Sequence, residues 1–327
     1  SANQSPEVKL DLELPQGGVL QKLNQPLELG WDKVMLNATL LKDRLQAKWE
    51  LDVTDNGDLT GQVTIPNVLS ENKLIDGQLK LSTFHLDFLS PLLGEHSELK
   101  SNISTDLAFS GPIMHPKVNG QFLIDSVKLQ GSVSPVQIDS GELAIDFAGY
   151  QADLNAALNT PDGTLQLQGD ADWQSMQDWR SKLRVFADEL KVEVPPMATI
   201  KVVPDMTINA SPNYAKIQGD ISLPWGRVVV EQLPPSATGI SKDQVILNEN
   251  LEPVSEESVM PFAVETDINI NIGDDFKLSA FGLEGDLRGR LNVAQKDKGP
   301  FVTGEVNITD GSYRSFGQDL IIKEGKI

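Results

Sequence analysis

The chain has 327 residues and a net charge of −20 at pH 7, with Lys+Arg 27 against Asp+Glu 47 and no cysteine. Hydrophobic residues make up 39%, too much apolar side chain for a disordered segment. The carboxylate surplus argues against nucleic acid and against an anionic membrane face as partners. Missing cysteine removes disulfides, thiolate metal sites and thiol nucleophiles, and fits an exported bacterial protein among other settings.

No apolar run approaches the roughly 18 residues of a membrane-spanning helix, and no signal-like segment opens the chain. Ser1-Ala2-Asn3-Gln4 begins without Met, and the sequence stops mid-pattern at Ile327, so a fragment of a longer protein is expected.

Along the chain the dominant pattern is period two. Val8, Leu10, Leu12 and Leu14 interleave with Lys9, Asp11 and Glu13, and Ile103, Thr105, Leu107 and Phe109 interleave with Asn102, Ser104, Asp106 and Ala108. Leu143, Ile145 and Phe147 repeat the pattern, as do Ile268, Ile270 and Ile272, then Val302, Val306 and Ile308. Such alternation predicts strands with one apolar and one wet face, about two dozen of them between residues 8 and 322. Helical signals are few. Residues 86–94 (LDFLSPLLG) read as one short helix with Ser90 as N-cap, Pro91 at the first position and Gly94 past the end. Residues 175–181 (SMQDWRS) read as a second turn. No βαβ alternation occurs, which argues against a parallel α/β sheet.

A Gly followed by Gln, Asp or Glu and then alternating residues recurs at Gly61, Gly77, Gly120, Gly169, Gly219, Gly285 and Gly304. In its middle part the spacing is roughly fifty residues, too long and variable for the rungs of a tight β-helix. Each glycine falls on the apolar parity. It marks either a bulge or extra twist, or a crease where a curved sheet is thinned on its inner side. The one clear interruption, residues 232–260, carries Pro234-Pro235 and an acidic run from Glu249 to Glu257. A mobile loop is expected there, with a domain boundary as the alternative.

Catalytic constellations are missing. His85, His96 and His115 are the only histidines and have no metal-ligand spacing. Ser97 and Lys100 match Ser-x-x-Lys without the companion motifs of that enzyme class. No nucleotide or cofactor fingerprint is present, and the acidic residues fall on the polar strand parity. The expectation is a protein that binds, spans or scaffolds without catalysis, metal or cofactor.

Residues 109–124 (FSGPIMHPKVNGQFLI) resemble the Gly…Pro…Gly-x-hydrophobic signature of the TamB family, part of the wider AsmA-like group of bridge-like lipid transporters. Residues 169–194 are similar in kind, with Trp173 and Trp179 before alternating Leu183, Val185, Leu190, Val192 and Val194. Asp310-Gly311-Ser312-Tyr313 after Gly304-Glu305-Val306-Asn307-Ile308 looks like the family's strand-end turn. The serial order of these motifs carries the resemblance across the whole chain.

The resemblance implies an all-β protein: an elongated, strongly curved sheet forming a taco-shaped hydrophobic groove, with one or two short helices, continuous over 1–327. It implies a periplasmic location within an inner-membrane-anchored protein, phospholipid cargo, and the outer-membrane barrel protein TamA as a partner met through a region outside this chain. If two dozen strands stacked consecutively, the trough would extend about 115 Å. Acyl chains are expected on the apolar parity, at Ile103, Leu107, Phe109, Phe122, Ile124, Ile145, Phe147, Leu167, Leu183, Val185, Ile217, Ile221, Ile268, Ile270, Phe276, Leu278, Leu291, Val306 and Ile308. Periodicity by itself leaves an ordinary sandwich core open as a reading of the same residues. The functional alternatives are a chaperone-like scaffold for outer-membrane proteins such as autotransporters, acting by β-augmentation, and a passive spacer rod.

Overall fold

The computed structural model describes residues 7–21, 27–93, 97–131, 134–230, 263–296, 299–315 and 317–326. Period-two alternation resolves there into β1 (Glu7–Leu14), β2 (Gly17–Gln21), β3 (Leu27–Leu41), β4 (Arg44–Val53), β5 (Gly57–Ile65), β6 (Leu74–His85), β7 (Glu98–Pro112), β8 (Lys117–Gln130), β9 (Ser140–Gly149) and β10 (Gln151–Asn159). They are followed by β11 (Thr164–Asp172), β12 (Arg180–Ala187), β13 (Leu190–Val194), β14 (Ala198–Ser211), β15 (Tyr214–Val230), β16 (Ala263–Ala280), β17 (Leu283–Lys296), β18 (Gly299–Ser315) and β19 (Gln318–Lys326). The all-β class is as expected.

Nineteen strands among the described residues replace the two dozen anticipated. Some alternating segments that the sequence separates are single long strands. The Ile268–Ile272 alternation and Phe276–Leu278 both belong to the 18-residue β16, joined across a register shift between Ile272 and Lys277. The predicted loop 232–260 lies outside the described residues, as do Gly94 and His96.

The chain divides into two compact units: Ser1–Glu193 with Val203–Pro212, and Val194–Val202 with Asn213–Ile327. In the first, each strand from β3 to β12 pairs antiparallel with the next. β1 and β2 share one side of β3, and β12 continues into the Asp205–Ala210 part of β14. Among the described residues β1 and β2 pair only with β3, and no ladder joins them to β12 or β14, so this sheet is open rather than a barrel. In the second unit β15 and β16 run parallel, and β16 to β19 are antiparallel neighbours.

The predicted helix is a 3-10 helix, Asp87–Leu93, starting three residues before the expected cap. Ser90 does not cap it. Its Oγ accepts from the Leu99 N–H (2.9 Å) and donates to the Leu99 carbonyl (3.1 Å), which ties the helix to the start of β7. The second predicted turn is present as a bend closed by Asp178 N–H donating to the Ser175 carbonyl (3.1 Å).

The recurring glycines split between the two readings. Gly120 has φ +125°, a backbone that only glycine adopts without strain. At Gly61 the missing side chain makes room for a neighbour, because a Cβ there would collide with the Trp49 indole on the adjacent strand. Gly285 does the same for Ile308, whose Cγ2 would lie 2.7 Å from an added Cβ. The inner side is therefore not simply thinned at these positions; a neighbouring side chain leans into the gap. Gly61→Val is expected to cost about 1–3 kcal/mol by overpacking. A chemical denaturation midpoint should show the loss, and it should shrink in a Trp49→Ala background.

Candidate functional site

Directly paired residues on neighbouring strands share a face, so the ladders show which side chains lie together. In the first unit one ladder runs Leu36, Trp49, Gly61, Leu79, Leu107, Gly120, Phe147, Ala152, Ala171. A second runs Leu59, Leu81, Thr105, Phe122, Ile145, Leu154, Gly169, Leu183, Ile208. A third runs Phe84, Ile103, Ile124, Leu143, Ala156, Leu167, Val185, Met206. Gly77, Phe109 and Val118 form part of a fourth.

All ten of the expected lining residues in this unit, from Ile103 to Val185, therefore fall on one continuous apolar face. Leu36, Trp49, Leu79, Leu143 and Leu154 belong there too and are not among the expected acyl-chain positions, although their own alternation carries the same signal.

The second unit repeats the arrangement. Ile268 pairs with Gly219 and Val293, Ile270 with Ile221 and Leu291, and Ile272 with Leu223 and Gly289. Val306 faces Gly289, Ile308 faces Leu287, Phe276 faces Gly226, and Leu278 faces Val228 and Gly285. With Ile217 two residues before Gly219 on the same side, all nine expected residues share a face. Ile272, already part of the predicted alternation, and Val293 lie on the same face without being among the expected acyl-chain positions.

The reverse faces are wet. Asn37 donates to Asp11 (2.8 Å), Gln78 to Asp106 (2.9 Å) and Gln121 to Asp146 (2.8 Å) across strands of the first unit. In the second, Asn292 donates to Asp267 (2.8 Å) and Arg290 to Asn271 (2.7 Å).

Little protein covers the apolar faces. Among the described residues no large side chain falls below 2% exposure, and the buried apolar residues are Val53, Val118, Ala152, Ala156, Ala187, Leu190, Phe276 and Ile308. Most others are half-buried by their lateral neighbours. Two features lie over the face of the first unit. One is the 3-10 helix, which touches β7 and β3 and sets Phe88 edge-on against Phe84 at 6.1 Å between centroids. The other is Trp173, packed edge-on to Phe147 at 6.3 Å, with its indole N–H donating to the Pro116 carbonyl (2.9 Å). Flat strands three places apart are about 14 Å distant, beyond an indole's reach, so the sheet curls toward its apolar side between β8 and β11.

Beside the helix, Ser101 is 3% exposed and its Oγ has no hydrogen-bond partner, while its carbonyl accepts from Leu86 N–H (3.0 Å). An unpaired buried hydroxyl costs free energy. Ser101→Ala is therefore expected to stabilise the fold by up to about 1 kcal/mol, readable as a higher denaturation midpoint; a clear loss would mean the hydroxyl has a partner after all.

At the same strand end Glu98 bridges Lys100 (2.8 Å) and Lys128 (2.7 Å). Hydrogen bonds from these two ammonium groups pull its carboxyl down to about 2 from 4.5. A depressed carboxyl pKa contributes stability above the unfolded value and loses it as pH falls toward the folded one. The stability gap between the parent chain and Glu98→Gln should thus be full above about pH 4.5 and close as pH approaches 2, followed by denaturation at stepped pH.

The two described histidines hold local structure: His85 Nδ1 is 2.7 Å from Asn102 Oδ1, and His115 stacks on Tyr150 at 6.3 Å. Ser97 Oγ donates to the Leu93 carbonyl (2.6 Å), away from any role with Lys100, which is paired with Glu98. Among the described residues no group of three or more His, Asp and Glu is placed to hold a metal ion, and no helix is long and apolar enough to cross a membrane.

Fold and face together define a class: open-sheet all-β proteins with one wet face and one apolar face that protein leaves largely uncovered. The family model for the TamB N-terminal domain matches residues 1–124, and that for the TamB C-terminal domain matches residues 151–327. A curated relative, translocation and assembly module subunit TamB of Haemophilus influenzae, is 33% identical over 317 residues, which is 94% of this chain and 24% of the relative. No solved structure matches the chain. The chain belongs to the TamB family and spans about a quarter of the length of this curated relative.

Proposed function

We propose that this chain is a segment of a translocation and assembly module subunit, and that the apolar face of each unit lines a groove that conducts phospholipid between the inner and outer membranes. The observation that carries the reading is the run of apolar ladders with no second layer over most of its length. Apolar surface left in water costs about 25 cal/mol per Å², and contiguous exposed patches of this kind mark binding sites. Acyl chains satisfy such a face without directional contacts, while headgroups stay at its wet margins. The working setting is the periplasm, with the anchor and the contact to the barrel protein TamA lying elsewhere in the full-length protein. No step of this mechanism needs catalysis, metal or cofactor.

A second reading, a scaffold for outer-membrane polypeptides, draws on β19. Among the described residues it pairs only with β18 and exposes Leu320 (56%) and Ile321 (84%). Such an edge can template a client strand.

Mass spectrometry of the natively purified chain separates the readings: co-purified phospholipid supports conduction, and bound polypeptide without lipid supports scaffolding. Ile270→Arg places a charge in the middle of the second unit's apolar face. It should abolish lipid retention there while the chain stays folded, because the site is not interlocked with a second layer. Undiminished lipid retention would defeat the groove reading. Global unfolding would mean a packed core with a buried, unpaired charge.

A further inference from the structure

The strand ends of the first unit form two margins, and their chemistry differs sharply. One margin is built by the turns after β3, β5, β7, β9 and β11: residues 42–43, 66–73, 113–116, 150 and 173–179, with the strand residues that flank them. It carries Lys42, Arg44, Lys73, Lys117 and Arg180 against Asp43, Glu71, Asp172 and Asp178. Among the described residues Lys42, Arg44, Lys73 and Lys117 are in no ion pair, whereas Arg180 lies opposite Asp172 and, added to hydrogen bonds from the Gln174 N–H and Gln151, helps to hold its carboxyl down.

Its tips are also apolar: Leu69 is 79% exposed, Met114 77% and Met176 47%. These tips are held, not frayed. Leu69 N–H donates to Asp43 Oδ1 (2.6 Å), Leu74 N–H to Asn67 Oδ1 (2.9 Å), and Lys117 sits 5.7 Å above the Tyr150 ring that stacks with His115.

The opposite margin is acidic. Its turns include Asp55, Asp87, Asp139, Asp162 and Asp188, and its Lys100 is already bound to Glu98. The 3-10 helix also lies over the apolar face at that end. At the basic margin Trp173 covers the face around Phe147, between β8 and β11, so the uncovered part that adjoins this margin lies along β4 to β7, in a chain whose net charge is −20.

We propose that the first unit holds its lipid in one orientation, with the phosphate of a glycerophospholipid along the margin carrying Lys42, Lys73 and Lys117 and its acyl chains on the adjoining apolar face. The inference rests on the groove reading above and adds which margin takes the headgroup. The dimensions agree. An acyl chain spans about half of a ~30 Å hydrocarbon core, roughly 15 Å, and a ten-residue strand such as β9 is about 33 Å long. A lipid seated at the Leu74 end of β6, clear of Trp173, thus covers Gly77, reaches Leu79 and stops short of the acidic margin. Unpaired ammonium groups beside apolar tips complement a phosphate joined to acyl chains; the acidic margin repels it.

The test compares the whole chain with its Lys42→Gln, Lys73→Gln, Lys117→Gln triple variant. Each is loaded separately with phosphatidylglycerol and with diacylglycerol of the same acyl chains, and retained lipid is quantified by mass spectrometry. Of the three substituted side chains only Lys117 has a structural contact, its seat over the Tyr150 ring, and matching denaturation midpoints check that its loss leaves the sheet folded. The expected result is about tenfold less phosphatidylglycerol on the variant, with diacylglycerol unchanged. Raising salt should loosen phosphatidylglycerol, but not diacylglycerol, from the unsubstituted chain.

Equal retention of phosphatidylglycerol by both proteins would overturn the orientation, as would equal loss of both lipids. So would binding to intact phosphatidylglycerol vesicles with no lipid taken up, which would make the margin a membrane contact. If the unsubstituted chain retains neither lipid, the groove reading itself fails, an outcome distinct from the other three.

Discussion

Everything in this molecule depends on the phase of its ladders. Side chains alternate along a strand, so a slip of one residue between neighbours would turn an apolar set toward water and a charged set inward. From Leu36 on β3 to Ala171 on β11 the phase holds across nine strands, with Leu, Trp, Gly, Phe and Ala in one row. Where a register shift occurs it preserves the phase. In the second unit, β15 shifts between Leu223 and Trp225 and β16 between Ile272 and Lys277, and Phe276 and Leu278 still share the side of Ile268 and Ile270.

A sheet whose apolar side has no covering layer must be stabilised laterally. Its side chains bury one another within the face: Trp49 leans into the space at Gly61, Phe276 into that at Gly226, and Ile308 into that at Gly285. These contacts recover part of the hydrophobic term but leave most positions half-exposed, where a sandwich would have closed them. Where the first unit gains more cover, it does so locally. The 3-10 helix is fastened by Ser90 to Leu99, and Trp173 spans from β11 to the Pro116 carbonyl. Both fasten an edge and leave the middle of the face open. The cost of that open surface is the physical basis for expecting an amphiphile on it.

Charge is organised on a finer scale than the net value conveys. A balance of −20 argues against anionic partners for the molecule as a whole, yet cations without ion pairs collect at one strand-end margin of the first unit while carboxylates collect at the other. On the wet faces, carboxylates are absorbed by cross-strand amides and by pairs such as the bidentate Arg184–Asp205 contact (2.9 Å for each bond). The average therefore reflects solvated outer faces more than the margins that border the apolar surface.

Alternation was enough to establish the all-β class and the face to which each expected residue belongs, because it is a local property that any strand obeys. Ile103, Phe122, Ile145 and Ile270 could be assigned a side from their immediate neighbours alone. Local signals also located the short helix near Ser90 and Pro91 but not its type or start, since the tie from Ser90 to Leu99 comes from a neighbouring strand. That the apolar side lacks a second layer, that Trp173 reaches Pro116, and that Lys42, Lys73 and Lys117 share one margin emerge from the folded chain alone. These are relations between residues tens of positions apart, set by how many turns separate two strand ends, and no period in the sequence encodes them.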